Sequence, residues 1–505
     1  MSPRALLVLL ALSLPLAAQA KGESPKPAEG AKAESPKPEE DKPSITRHEM
    51  RLGGKSLKYT ATAGYMPLKS EKGELEAKLF YTAYTLDGAG PDRPLVFAFN
   101  GGPGSGSLWL HLGALGPKRV KLLDDGQLPP PPFQLVDNES TWLDQADLVF
   151  IDPVGTGYSR ADKPELNKRF WSVKGDVESV GEFIRLYLTR NERWRSPLFL
   201  AGESYGTTRA SALSDHLLRK GIALNGIVLV SSIMNFQTAE FADGNDLPPQ
   251  LFLPTYAATA WYHHKLPADL QAKDLKSVLA EAEAYAMGDY AKALAAGDQL
   301  SAADRDAVAA KVARFTGLSK TYVLQANLRP VIFAFDQELL RDRNRLVGRL
   351  ESRFQGIPSR GTAEHAEFDP LLAAVMPPYT AAMNDYARRE LGFKTDLEYQ
   401  ALNFEVNRAW EWGEGNSMLN TSTALASALR RNPYMKVMIA NGYYDLGTPY
   451  LATRYTVDHM ALEPAQRANI TLTFYEAGHM MYIDSKCLKQ LKQDAAALIQ
   501  SALKN

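Results

Sequence analysis

Cysteine and net charge are both scarce in this chain. Its 505 residues include one cysteine, Cys487, so no disulfide can form within the chain. The 57 basic and 58 acidic side chains nearly cancel, to a net charge of −1, which leaves no overall field that would favour nucleic acid or an anionic membrane. We therefore expect a globular protein without a nucleic-acid partner. The composition leaves its oligomeric state open.

Long apolar runs are also scarce, and the most prominent lies near the first residue. Arg4 precedes an apolar stretch over residues 5–16, and residues 18–20, Ala-Gln-Ala, fit a small-x-small cleavage site. The stretch is too short to span a bilayer, and no later run is long enough. We interpret residues 1–20 as a signal peptide and expect an exported protein, periplasmic or secreted, without a membrane anchor.

The next segment is of low complexity. Residues 21–44 contain Glu-Ser-Pro-Lys-Pro twice and have little apolar surface to bury, which is typical of a disordered linker. Residues 46–84 then alternate apolar and polar side chains around glycine-containing turns. This alternation predicts antiparallel strands at the edge of a sheet.

Continuous apolar runs follow, as expected of strands that are buried on both faces. They occupy residues 95–99, 146–151, 198–201 and 227–230, and residues 173–188 have helical periodicity. Strands that alternate with helices in this way are typical of a parallel α/β sheet.

From about residue 234 helical patterns dominate, and the strand pattern resumes only near residue 437. We therefore predict an α/β core in two parts, residues 45–233 and 421–505, around a mostly parallel central sheet. A largely helical cap, residues 234–420, would be inserted in the C-terminal half. The predicted helices of the cap include residues 275–296, 302–315 and 333–354, and the later strands are residues 437–440 and 470–475.

One stretch within the predicted sheet carries a candidate nucleophile. Residues 202–206 read Gly-Glu-Ser-Tyr-Gly, between the strand that ends at residue 201 and a predicted helix over residues 207–220. A Gly-x-Ser-x-Gly match alone is weak evidence, but strand, tight turn and helix are the setting that a nucleophile elbow requires. We therefore predict Ser204 as the nucleophile.

An acid and a base follow later strands of the predicted sheet. Asp445 and His479 come after the last two strands, so the chain order is Ser204, Asp445, His479, which is the α/β-hydrolase order. His479 would take and return the serine proton, and Asp445 would orient the imidazole. His459 and Asp484 are the alternative base and acid.

The glycine-rich loop at residues 100–104, Asn-Gly-Gly-Pro-Gly, also follows a predicted strand. Such a loop can bind phosphate, but the Gly-Lys-Ser/Thr tail of a phosphate loop is missing. We interpret it as the oxyanion loop, with the backbone N–H groups of Gly102 and Tyr205 as donors.

Glu203, beside the nucleophile, is an unusual neighbour because its charge would repel a developing oxyanion. It is better suited to the site if it is protonated or shares a proton with another acid. The C-terminal carboxylate of a substrate could be that partner, with Asn100 as a second donor. The alternative is a Glu that is solvated or paired for structural reasons.

Several of these motifs together resemble those of the serine carboxypeptidase family. The resemblance implies an α/β-hydrolase that removes C-terminal residues from peptides, with Asn100 and Glu203 as carboxylate-binding groups that work best at acid pH. The matching stretches are residues 100–104, 115–117 (Leu-Gly-Pro), 138–142, 153–159, 202–205, 442–445 and 477–480 (Ala-Gly-His-Met).

The chain departs from the family at three places. Ala114 stands where the family usually has a Glu that helps to bind the terminal carboxylate, and Ser105 stands where it has a Cys. Residues 207–209, Thr-Thr-Arg, also differ, and Arg209 could lie near the site or on a helix surface.

Three functions stay open on this evidence. Peptides are the expected substrates, but the same triad could serve an esterase or acyltransferase, for which Ala114 is the motivating feature. A non-catalytic binding protein is a third reading, although such proteins typically lack the Ser or the His, and both are present here. No His, Cys or Asp cluster has metal-ligand spacing, so no metal or cofactor is predicted.

Overall fold

The computed structural model describes residues 42–413 and 417–504. The predicted signal peptide, residues 1–20, lies outside the described residues, as does nearly all of the predicted linker. The last linker residue, Ser44, is instead the first residue of a strand, so the linker prediction is one residue too long. Within the described residues, no helix is both long enough and apolar enough to cross a bilayer.

Ten strands form the central sheet, in the order β1-β2-β3-β7-β4-β9-β10-β13-β14, with β8 paired to β3. Two further pairs, β5-β6 and β11-β12, are small separate sheets. The strands are β1 Ser44–Leu52, β2 Lys55–Lys69, β3 Leu75–Leu86, β4 Leu95–Phe99, β5 Lys118–Val120, β6 Leu135–Asp137, β7 Asp147–Ile151, β8 Arg160–Ala161, β9 Leu198–Glu203, β10 Gly226–Val230, β11 Leu346–Val347, β12 Gln355–Gly356, β13 Lys436–Gly442 and β14 Ile470–Tyr475.

The predicted mostly parallel sheet is confirmed. Neighbouring strands from β7 through β4, β9, β10 and β13 to β14 pair in parallel, whereas β1, β2 and β3 form the antiparallel edge that the alternating pattern predicted. Parallel strands present their carboxyl ends at one edge of the sheet, which is where sites form in open α/β sheets. The turns after β4, β9, β13 and β14 therefore lie on the same side.

Helices cover the sheet and fill the region between β10 and β13. Two π-helical turns, His111–Leu115 and Ala286–Tyr290, extend helices α1 and α7. The helices are α1 Leu108–Leu110, α2 Asn167–Phe170, α3 Val173–Arg190, α4 Tyr205–Arg219, α5 Leu247–Tyr262, α6 Ala268–Gln271, α7 Leu275–Tyr285, α8 Ala291–Ala296, α9 Ala302–Thr316, α10 Lys320–Gln325, α11 Ile332–Glu338, α12 Pro370–Arg389, α13 Phe404–Ala409, α14 Ser422–Arg431, α15 Tyr450–Asp458, α16 Pro464–Arg467 and α17 Ser485–Ala502.

Both faces of the sheet are buried under helices. In β4, Val96 and Ala98 belong to one apolar cluster, whereas Leu95, Phe97 and Phe99 belong to a second. Because successive side chains of a strand point to opposite faces, these clusters are the two sides of the sheet. A third cluster lies among the helices between β10 and β13 and extends to the turn after β13.

The predicted helix over residues 333–354 is wrong in its second half. Helix α11 ends at Glu338, Asn344 adopts a left-handed backbone with φ of 51°, and β11 follows at Leu346. The prediction relied on an apolar residue every three or four positions. A turn followed by a strand can have the same spacing when distant parts of the chain hold both in place. The boundaries at residues 45–233, 234–420 and 421–505 stay predictions.

A buried ion cluster closes the amino-terminal end of β7. The Asp147 carboxylate accepts bonds from Arg93 Nε at 3.0 Å and Arg193 Nη1 at 2.6 Å, and from the Leu86 N–H at 3.0 Å. The Asp147 side chain is 2% exposed and the Arg193 side chain 9%. Removal of the acid would leave a guanidinium buried and unpaired.

We therefore predict that Asp147→Ala lowers the free energy of unfolding by about 3–5 kcal/mol. The matched control is Asp92→Ala, which breaks the exposed pair with Arg195 and should cost less than about 1 kcal/mol. Urea unfolding followed by tryptophan fluorescence measures both. Equal effects of the two substitutions would contradict the assignment of the Asp147 cluster as a buried, stabilising network.

Candidate active site

Ser204 lies at the sharp turn between β9 and α4. Its backbone is left-handed, with φ of 59° and ψ of −129°, a conformation that is strained for a residue with a side chain. A Cβ on Gly202 would lie 2.3 Å from Gly206 O, and a Cβ on Gly206 would lie 2.9 Å from Phe99 O. The turn thus requires both glycines, and it leaves the Ser204 side chain partly exposed.

The glycine-rich loop after β4 packs directly on this turn. A Cβ on Gly101 would lie 2.4 Å from Tyr205 N, so only glycine permits the approach. Gly102 has φ of 101° and lines the same cavity as Ser204 and Tyr205. The structure therefore brings together the two backbone groups that were predicted as oxyanion donors.

Arg209 is buried beneath the loop and does not lie on the helix surface. It is 1% exposed and pairs with Asp176 at 2.7 Å. Its Nη1 donates to Asn100 O at 2.6 Å, and its guanidinium lies over the rings of Phe99 and Tyr205. The arginine thus ties the loop after β4 to the first turn of α4.

Asp445 and His479 are in direct contact at the carboxyl ends of β13 and β14. His479 Nδ1 lies 2.8 Å from Asp445 Oδ2, and both side chains are buried. Asp445 also accepts bonds from Gly447 N at 2.8 Å and from Thr448 N at 3.0 Å and Oγ1 at 2.6 Å. Because Nδ1 is held by the carboxylate, Nε2 is the imidazole nitrogen left for proton transfer.

The two groups shift each other's pKa. Burial alone would lower the pKa of His479, but the charge and hydrogen bond of Asp445 and the charge of Glu203 raise it, and Arg349 opposes them, so the net shift is upward. Burial alone would raise the pKa of Asp445, but His479 and the bonds from Thr448 outweigh burial and lower it. The pair is therefore suited to stabilise an imidazolium next to a carboxylate.

Segment 349–353, part of the region that was predicted as a helix, holds both turns in place. Arg349 O accepts from Leu446 N at 2.9 Å, and Leu350 O accepts from His479 N at 2.6 Å. Ser352 N donates to the carbonyl oxygen of residue 444 at 3.0 Å. The acid turn and the base turn are thus bonded to one common segment.

Two charged side chains of the same segment add to this anchor. Glu351 Oε2 accepts from Gly478 N at 2.8 Å, and Arg353 donates to Glu351 at 2.9 and 2.7 Å. Arg353 Nη1 also donates to Glu476 O at 2.8 Å. Glu351 is 1% exposed, and sequence reasoning missed both residues because their partners lie more than 120 positions away in the chain.

A cavity of about 220 Å³ opens at this point. Ser204 and His479 both line it, so the nucleophile and the base share one solvent-accessible space. The remaining lining residues are Gly102, Tyr205, Ile233, Phe236, Ala239, Glu240, Arg349, Leu350, Trp412, Gly447 and Thr448.

Asn100 and Glu203 do not line this cavity but bond to each other beside it. Asn100 Nδ2 donates to Glu203 Oε2 at 2.7 Å, and Tyr482 Oη donates to the same oxygen at 2.6 Å. Glu203 is 3% exposed, and burial raises its pKa to about 7, against the lowering effects of His479, Tyr482 and Asn100. Tyr482 is a further residue that sequence reasoning missed.

Two tyrosines lie against the residue that precedes Ala114. Ala114 is fully buried, and a Cβ on the preceding Gly113 would lie 2.5 Å from Tyr379 Oη and 2.6 Å from Tyr482 Cε2. Within the described residues, the side-chain hydrogen-bond partners of Glu203 are the amide of Asn100 and the phenol of Tyr482, and neither is a carboxylic acid.

The alternative base and acid lie elsewhere. His459 is exposed at the end of α15 and stacks on Tyr455. Asp484 caps α17 by accepting from Lys486 N and Cys487 N, each at 3.0 Å. Among the described residues, no three His, Cys, Asp or Glu side chains are grouped so that they could hold a metal ion.

Comparison with known proteins identifies the family of this chain. The family model for serine carboxypeptidase matches residues 53–489, which is most of the sequence. The chain belongs to the serine carboxypeptidase family. Two similar proteins of Arabidopsis thaliana are serine carboxypeptidase-like 5, 31% identical over 153 residues, and serine carboxypeptidase-like 1, 28% identical over 191 residues.

These matches cover only part of each protein. They span 30% and 35% of this chain, and 33% and 42% of the two relatives, so the chain spans less than half of the length of either. A solved structure, that of Kex1(Δ)p, a prohormone-processing carboxypeptidase from Saccharomyces cerevisiae, superposes with a TM-score of 0.55 at 17% identity. It covers 87% of this chain and 91% of the yeast chain, which confirms the predicted α/β-hydrolase fold of the family.

The anchor formed by segment 349–353 leads to a prediction for Glu351→Ala. Loss of the carboxylate frees the turn that carries His479, and a displacement of about 1 Å can cost about 100-fold in rate. We expect labelling of Ser204 by a fluorophosphonate probe to slow by about 10- to 100-fold, with unchanged far-UV circular dichroism.

The control is Glu367→Ala, an exposed acid of the same region that accepts bonds from Ser359 and from no other part of the chain that the structure describes. Its labelling rate should match that of the parent protein. Labelling of Glu351→Ala at the rate of the parent would show that the turn positions His479 without this anchor.

Proposed function

We propose that this protein is an exported serine carboxypeptidase that releases C-terminal residues from peptides through an acyl-enzyme on Ser204. The observation that carries the proposal is the cavity shared by Ser204 and His479, with Asp445 bonded to His479 at 2.8 Å. Family membership supports the same reaction class. Export rests on the sequence pattern of residues 1–20 alone.

The reaction follows from the placement of these groups. Ser204 Oγ attacks the scissile carbonyl carbon while His479 Nε2 takes the hydroxyl proton. The C–N bond then breaks as the imidazolium gives that proton to the leaving amine, which departs as the C-terminal residue. Water next attacks the ester, His479 again takes and returns a proton, and the shortened peptide leaves as an acid.

Backbone N–H groups would stabilise the charge that develops on the carbonyl oxygen. Gly102 and Tyr205 flank Ser204 in the cavity, as an oxyanion hole requires. The Asp445 carboxylate would stabilise the imidazolium in both steps. Loss of one oxyanion donor typically costs about 3 kcal/mol of barrier.

Glu203 and Asn100 are our candidates for recognition of the terminal carboxylate. Because two donors already point at Glu203 Oε2, the proton of the neutral acid belongs on Oε1, from which it can donate to a substrate carboxylate. Below its pKa of about 7 Glu203 is neutral and attractive to an anion, and above it the charge repels one. We therefore propose that acid pH favours cleavage of free-acid peptides relative to their C-terminal amides.

An esterase or acyltransferase with the same triad is the second candidate. The observation that favours it is the missing second acid, because Ala114 stands where the family usually has a Glu, and two tyrosines lie against the neighbouring Gly113. Such an enzyme would turn over small esters rapidly and leave blocked dipeptides intact.

The triad assignment predicts the reactivity of Ser204. A fluorophosphonate probe should label the parent protein at Ser204 and should not label Ser204→Ala. Asp445→Asn, which leaves the shape of the site but removes the orienting charge, should slow labelling by up to about 10⁴-fold. Peptide mapping by mass spectrometry identifies the site, and equal labelling of His459→Gln and the parent excludes the alternative base.

The carboxylate assignment predicts a difference in pH dependence between two substrates. A blocked dipeptide with a free C-terminus should lose kcat/KM as the pH rises through about 7, because Glu203 becomes charged. Its C-terminal amide should lack this alkaline loss. Both should lose activity at low pH, where His479 binds a proton.

Tyr482→Phe provides the matched test, since it removes a donor that lowers the pKa of Glu203. We expect the alkaline loss for the free acid to move to higher pH, with the amide profile unchanged. If the amide is cleaved as fast as the free acid at acid pH, the result contradicts the proposal that Glu203 and Asn100 recognise a carboxylate.

A further inference from the structure

One cation lines the catalytic cavity and takes part in none of the proton transfers or bond changes described above, although its charge lowers the pKa of His479. Among the described residues that line the cavity, Arg349 is the only lysine or arginine, and Glu240, an exposed side chain, is the only acid. The guanidinium lies along the acid turn, because a Cβ on Gly447 would be 3.4 Å from Arg349 Nη1. Its backbone is fixed by the bond from Leu446 N to Arg349 O.

The other arginines around the site are neutralised by acids of this chain. Arg209 pairs with Asp176 at 2.7 Å, and Arg353 pairs with Glu351 at 2.7 Å. For Arg349, in contrast, no carboxylate of the described residues lies within 4.0 Å of the guanidinium. A half-buried guanidinium with free donors is well suited to bind a carboxylate through two parallel bonds.

One buried acid interacts electrostatically with Arg349 but does not replace such a partner. Asp336 lies in α11 and is 2% exposed, and burial raises its pKa well above the usual range. Burial thus disfavours the charged form of Asp336, and its carboxylate forms no ion pair with Arg349 within 4.0 Å. The cavity therefore holds a guanidinium that has no ion-pair partner among the described residues, beside the turns that carry Asp445 and His479.

We propose that Arg349 binds an acidic side chain of the peptide next to the scissile bond, and so gives the enzyme a preference for Asp or Glu at that position. This inference rests on the proposed function. The terminal carboxylate is assigned to Glu203 and Asn100, which bond to each other and not to Arg349. An acidic side chain is therefore the carboxylate left for Arg349.

The rest of the cavity wall fits a peptide rather than a small anion. The rings of Phe236 and Trp412 lie 5.0 Å apart, and those of Trp412 and Tyr205 lie 5.8 Å apart. These rings form an aromatic surface against which the backbone and the methylene groups of a peptide can pack. Arg349 adds a single charged contact to this surface, which is the arrangement that gives selectivity.

The test uses blocked dipeptides that differ by Asp or Asn, first at the penultimate residue and then at the C-terminal residue. The parent should prefer Asp over Asn at one of these positions. Arg349→Gln should lower the ratio of kcat/KM for the Asp peptide to kcat/KM for the Asn peptide by about tenfold, both peptides being measured at the same pH. Arg349→Lys should restore part of the preference.

The matched control is Arg343→Gln, which removes an exposed cation six positions away and outside the cavity lining. It should leave both Asp-to-Asn ratios unchanged. The inference is overturned if Arg349→Gln also leaves both ratios unchanged while the peptides are cleaved. It is likewise overturned if Arg349→Gln instead abolishes the discrimination between a free acid and its amide, which would assign the arginine to the terminal carboxylate.

A failure of the proposed function gives a different result. If no peptide is cleaved but the fluorophosphonate probe still labels Ser204, the proposed function is wrong. Peptide binding is then measured by how much each peptide slows the labelling of Ser204. The Asp peptide should slow labelling of the parent more than labelling of Arg349→Gln, and the Asn peptide should slow both equally. Equal protection by the Asp peptide would overturn the role of Arg349 independently of catalysis.

Discussion

The left-handed backbone of Ser204 is the constraint on which the rest of the site depends. A side chain at φ of 59° is costly by about 1–3 kcal/mol, so the surrounding structure must hold it. Close packing does so, because Gly101, Gly202 and Gly206 let the loop after β4 and helix α4 approach the turn to distances that no Cβ would allow. The same packing brings Gly102 into the cavity that Ser204 lines, so one set of contacts positions both the proposed nucleophile and its proposed oxyanion donor.

Asp445 and His479 are held in position by a different set of contacts. Their turns follow β13 and β14, which set their position along the sheet, but the turns themselves are bonded to segment 349–353. Glu351 and Arg353 add charged contacts to the turn that carries His479. The helical region between β10 and β13 thus supports the triad as well as lining the cavity. A change in that region can therefore alter catalysis without touching a reacting group.

Local patterns explain which features could be predicted from the sequence. The buried strands have continuous apolar runs, and Ser204, Asp445 and His479 each follow one of them in a short motif. Glu351, Arg349 and Tyr482 could not be found in this way, because their contacts depend on residues far away in the chain. The predicted helix over residues 333–354 was wrong for the same reason, since the bonds that shape segment 349–353 come from two distant turns.

The central claim is that this site removes residues from the C-terminus of peptides, and Glu203 with Asn100 is the pair that would select that end. The most direct test is a digest of an unbiased peptide library by the purified protein, read by mass spectrometry over time. We expect series of peptides that are shortened from the C-terminus only. These series should be absent for C-terminally amidated peptides and for the Ser204→Ala variant. Internal cleavage, N-terminal trimming or intact peptides alongside hydrolysed esters would contradict it.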